Sequence, residues 1–131
     1  MIFYFSGTGN SQWAANTLAL YTSDKLISIP EVINTDCSFT LEKDEHVGFI
    51  FPVHGWRVPL IVREFIRKLT FVKDELNLPN TSCKHYCFCL VTAGDTVAKT
   101  IERFQHLLME SSAGQFLSLK AVFSLLMPES Y

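Results

Sequence analysis

An α/β domain built on an open parallel sheet is what the sequence predicts, and three observations predict it. Apolar strand patterns alternate with helical ones in the order β-α-β-β-α-β-α-β. The strands are nearly unbroken apolar runs, as strands buried on both faces are, in a chain of 48% hydrophobic residues and mean hydropathy +0.19. The first strand also runs straight into a glycine-rich turn that opens a helix. At 131 residues the chain makes one domain, large enough for a real core and near the small end for five strands with helices.

Taken in order, the first strand is expected at about residues 1–5. A helix follows over 10–21, with Trp13, Ala14, Thr17, Leu18 and Tyr21 at helical spacing. Residues 25–29 form a short second strand, stopped by Pro30. The polar stretch 31–45 is long for a bare connection, so a turn or short strand is expected near 39–41. Residues 46–51 are the third strand. Pro59 then suits the first turn of a helix that carries Leu60, Ile61, Phe65, Ile66 and Leu69 on one face. After a loop at 77–84, residues 85–91 form the fourth strand. A helix at about 96–109 follows, with Asp95 as N-cap and Val97, Ile101, Phe104 and Leu108 inward. The fifth strand, 119–126, is stopped by Pro128.

Ser6-Gly7-Thr8-Gly9-Asn10-Ser11 has the layout of a phosphate cradle. Glycines let backbone amides face one point, and the following helix aims its free N–H groups and positive dipole end at that point. Ser, Thr and Asn side chains add short donors. No Lys or Arg occurs from residue 1 to 23, so a phosphate here is held by dipoles without formal charge. A P-loop needs a Gly-Lys-Ser/Thr ending, and the dinucleotide fingerprint needs a third glycine where this chain has Gln12.

A second loop, Phe51-Pro52-Val53-His54-Gly55-Trp56-Arg57-Val58-Pro59, ends the third strand, and a third, Thr92-Ala93-Gly94-Asp95, ends the fourth. All three loops follow parallel strands and so emerge on the same edge of the sheet, where α/β proteins bind ligands. Trp56 suits stacking on a flat ring or packing against a helix. Gly55 suits a peptide that turns over or a simple tight turn. His54 and Arg57 place positive charge near such a ring or stand in solvent.

The first loop resembles the FMN-phosphate loop of the flavodoxins, and residues 51–59 resemble their second flavin loop. Together with Met127-Pro128-Glu129, these segments are similar to the flavodoxin half of fused flavodoxin–ferredoxin proteins, over nearly the whole chain. The resemblance implies a three-layer α/β/α fold with strand order 2-1-3-4-5. It implies FMN bound by Ser6, Gly7, Thr8, Gly9, Asn10, Ser11, Pro52, Val53, His54, Gly55, Trp56, Thr92, Ala93, Gly94 and Asp95. The third loop departs from many flavodoxins in having no aromatic residue, and the chain stops before the family's final helix. The resemblance therefore implies that residues 1–131 are the N-terminal portion of a longer chain that relays electrons to or from a ferredoxin-like iron–sulfur domain or protein. A homodimer covering the bare sheet face, at residues 119–126, is the alternative.

The remaining chemistry narrows the classes. Net charge is −2 without a run of basic residues, which favours neither nucleic acid nor an anionic membrane. There is no apolar run of spanning length and no basic leader, so the chain reads as cytoplasmic. Cys87 and Cys89 alternate within a strand and should share a face as buried thiols, and the four cysteines lack metal-ligand spacing. No nucleophile–base pair accompanies the loops, which favours an electron carrier over a substrate-processing enzyme. An NAD(P)H-dependent FMN quinone reductase and a flavin-free binding module remain as alternatives.

Overall fold

The computed structural model describes residues 1–6, 10–53, 57–73, 84–93 and 98–126. The strands are β1 (Ile2–Tyr4), β2 (Leu26–Ser28), β3 (Ser38–Leu41), β4 (Val47–Pro52), β5 (Thr70–Lys73), β6 (His85–Ala93) and β7 (Leu117–Leu126). The helices are α1 (Asn10–Thr22), a single turn α2 (Ile29–Val32), α3 (Leu60–Lys68) and α4 (Ala98–Glu110). A 3-10 turn, Ser112–Gln115, precedes β7.

Five strands form an all-parallel sheet in the order β2-β1-β4-β6-β7, so the α/β class and the parallel sheet hold. The expected order 2-1-3-4-5 counted five strands. The described residues form seven, and β3 and β5 leave the main sheet to pair with each other, also in parallel. The short strand expected near 39–41 is β3, whereas β5 was not foreseen. Pro30 does not merely stop β2: it sits in the first turn of α2, where its missing N–H would have had no intrahelical partner. β6 runs two residues further than expected, to Ala93, and β7 starts two residues earlier, at Leu117. Asp95 and Val97, expected to cap and anchor the last helix, and Met127-Pro128-Glu129 lie outside the described residues.

Alternation along the strands sends side chains to two cores. On one face Phe3, Phe49, Phe51, Cys87, Cys89 and Val91 meet Val62, Phe65 and Ile66 of α3 and Phe104 and Leu108 of α4. The ring of Phe3 lies 5.0 Å from those of Phe39 and Phe65, and that of Phe104 lies 5.4 Å from those of Phe49 and Phe51. Phe39 and Phe71 bring the β3–β5 ribbon to this cluster. Each Phe so buried contributes on the order of 1.5–3 kcal/mol.

The opposite face holds Ile2, Ile50 and Phe88 under Ala14 and Ala15 of α1. Small residues let this helix lie close to the strands. Trp13 and Tyr21, grouped with its apolar positions by spacing, are exposed. Position 13 lies on the far side of the helix from the buried stripe of Ser11, Ala14 and Ala15, and Tyr21 stands at the helix's end. Beyond α1, Tyr86 of β6 and Phe123 of β7 are about half exposed, at 49% and 52%.

Candidate functional site

Because every main-sheet strand is parallel, β1, β4 and β6 all deliver the chain to one edge. β1 has β2 on one side and β4 on the other, so the chain reverses its direction of travel across the sheet between β1 and β4. Ligands of open α/β sheets bind in the crevice at such a reversal, outside the carboxyl ends of the strands.

Thr92, near the end of β6, ties this edge together. Its hydroxyl lies 2.8 Å from the hydroxyl of Ser11 in the first turn of α1, a contact between residues 81 apart in sequence. Its carbonyl accepts a hydrogen bond from the backbone N–H of Val53, 2.9 Å away, just past the end of β4. Both hydroxyls are buried, Ser11 at 1% and Thr92 at 4% exposure. The end of the first loop and the start of the second are thus anchored to the strand that carries the third. The backbone N–H of Phe5 donates to the carbonyl of Ile50 at 3.0 Å, which joins the ends of β1 and β4.

Ser6, Ser11, Pro52, Val53, Thr92 and Ala93 are all placed at this edge by the ends of β1, β4 and β6 and the start of α1. Pro52 is buried, while Ser6 and Val53 are half-buried. Asn10 opens α1. Gly7, Thr8, Gly9, His54, Gly55, Trp56, Gly94 and Asp95 lie outside the described residues.

The donors so gathered are neutral, which suits an anion held by hydroxyls and the amide end of α1. If Thr92 gives its proton to Ser11, the Ser11 hydroxyl keeps its own for another acceptor. Among the described residues, the Ser11 hydroxyl is paired with that of Thr92 and with no base.

A cluster of titratable groups sits at the other edge. Met1, Asp24 and His46 immediately precede or nearly precede β1, β2 and β4. His46 Nε2 lies 2.6 Å from Asp24 Oδ2, and the Met1 ammonium donates to the His46 carbonyl at 2.9 Å and lies 3.4 Å from Asp24 Oδ1. Burial by itself raises the Asp24 pKa. Hydrogen bonds from Thr22 and His46 and the charges of the N-terminus and His46 outweigh it and hold the carboxyl below its ordinary value. This cluster braces three strands at the amino edge, away from the carboxyl edge.

Cys87 and Cys89 share the α3–α4 face, as their alternation predicts. Burial pushes the Cys87 thiol up to about 12 and the Cys89 thiol well above its ordinary value, so both are packing groups. No helix among the described residues is long and apolar enough to cross a membrane. Comparison with family models, with curated proteins and with solved structures finds no match to this chain.

Proposed function

We propose that the chain is a flavodoxin-like domain that holds FMN at the carboxyl edge of its sheet and passes electrons to or from an iron–sulfur partner. The observation that carries this reading is the meeting of Ser11 and Thr92 at 2.8 Å. Two segments singled out by sequence as parts of one flavin site meet at a common buried anchor, and Val53 brings in the third. The neutral, hydroxyl-rich donor set fits a phosphate monoester held by helix dipole and amides.

In this reading Ser6, Thr8 and Asn10 bind the phosphate with the amides of Gly7 and Gly9. Ser11 binds it or orients the loop from its place against Thr92. Trp56 provides a stacking face, and Pro52, Val53, His54 and Gly55 frame the ring with Thr92, Ala93, Gly94 and Asp95. The flavin, when bound, supplies the electron chemistry, and the protein supplies binding, orientation and electrostatics.

The test is uptake of FMN by the purified chain, followed by gel filtration and the flavin spectrum. FMN is expected to co-elute, and riboflavin, which lacks the phosphate, to bind far more weakly. A chain that takes up no FMN would sink both redox readings and leave the flavin-free module. Sustained NAD(P)H oxidation by the flavin-loaded chain alone would favour the reductase over the carrier.

A further inference from the structure

Three of the chain's four arginines line one cavity, although they are scattered through its sequence. The cavity, about 410 Å³, lies between α3 and α4 on the face of the sheet opposite α1. Arg57 and Val58 come from the segment that leads into α3, and Arg63 from the first turn of α3. Arg103, His106, Leu107 and Glu110 form one stripe of α4 at i, i+3, i+4 and i+7, beside the buried Phe104 and Leu108. In a protein of net charge −2, three guanidinium groups here face a single carboxylate.

Arg63 supplies a second, independent observation. Its Nε is buried and has no hydrogen-bond partner. Neither Arg63 nor Arg57 forms an ion pair with a carboxylate among the described residues. A buried cationic donor left unsatisfied costs free energy, so its retention in a residue lining the cavity calls for an explanation. Guanidinium groups present planar forks of N–H donors that match phosphate oxygens in pairs.

From these features we propose that this cavity is a binding site for a small molecule bearing a phosphate group, separate from the carboxyl-edge site. Its volume is within the range of about 300–1,000 Å³ usual for small-molecule sites. It therefore has room for an organic body beside the phosphate. Val58 and Leu107 give that body an apolar wall, and Glu110 offers one acceptor for a hydroxyl or amino group.

The proposal does not depend on FMN, and the experiment keeps the two apart. Calorimetric titrations of the full chain, with and without saturating FMN, would use inorganic phosphate, AMP and citrate as probes. AMP is expected to bind more tightly than inorganic phosphate, citrate to bind least, and FMN to leave all three unchanged. Arg63→Gln and the more exposed Arg57→Gln are each expected to weaken AMP by about tenfold or more. Arg67→Gln, which alters the one arginine outside the cavity, should leave AMP binding unaltered. Should Arg63→Gln fail to fold, Arg57→Gln carries the test. The proposal is overturned if AMP gives no binding, if citrate matches it, if FMN competes with it, or if Arg67→Gln weakens it as much as the cavity variants do.

Discussion

Thr92 makes two bonds across this edge, one through its hydroxyl to Ser11 and one through its carbonyl to Val53. Removing one hydroxyl strands the other in a buried place, at a cost of about 1–3 kcal/mol. Ser11→Ala and Thr92→Val should therefore each lower stability by about that much. The double variant should cost clearly less than the two losses added, because it leaves neither group unpaired. Urea unfolding of the four proteins measures this, and strictly additive losses would mean the two hydroxyls do not depend on each other. Both residues were visible in the sequence as parts of a ligand edge, since local pattern placed each at the junction of a strand and a loop. Their bond to each other was not, because it joins positions far apart in the chain and only the folded sheet brings them together.

At the scale of elements, Gly48 in β4 shows how one strand makes room for another. It pairs with Phe88 of β6, and a methyl group added to it would meet the Phe88 ring at 2.1 Å. That ring is itself packed with Ile2, Ile50, Ala14 and Ala15. Gly→Ala at a compatible site gains about 0.4–1 kcal/mol through the unfolded chain, but overpacking a core costs about 1–3 kcal/mol. The clash should win, so Gly48→Ala is expected to destabilise the fold, and adding Phe88→Leu should restore part of the loss. A neutral Gly48→Ala in thermal or urea unfolding would mean that the ring has space to move. The long apolar strands were legible because continuous hydrophobic runs need no partner to be recognised. β5 was not: it is four residues long, with Phe71 buried and Val72 exposed, and it exists only because β3 lies beside it.

The molecule as a whole is held at its amino edge by the Met1–Asp24–His46 cluster, which links the starts of three strands. Since Asp24 holds its proton less tightly when folded than when unfolded, its contribution is present above the ordinary carboxylate pKa. It is lost as pH falls through the lower native value. Asp24→Asn should thus be less stable than the parent at pH 7, with the difference shrinking towards pH 3. Urea midpoints at the two pH values check this, and an unchanged difference would place the Asp24 effect outside its charge. At this scale the parallel class and the shared edge of the three loops could be read from element order. The arginine-lined cavity could not, because charge scanned along the chain shows no cluster where α3 and α4 create one in space.

The consistently parallel pairing in both sheets has a consequence for how the chain acquires its shape. No two paired strands are joined by a tight turn, and even the pair nearest in sequence, Ile2 with Leu26, must span all of α1. Every ladder of the structure therefore waits on a crossover. Among the described residues no hairpin offers a start from which the sheet can grow, and the entropy of closing long loops must be met before these strand pairings return it. The order of assembly falls to the helices and to the phenylalanine cluster, which can gather apolar surface before the strands are in register.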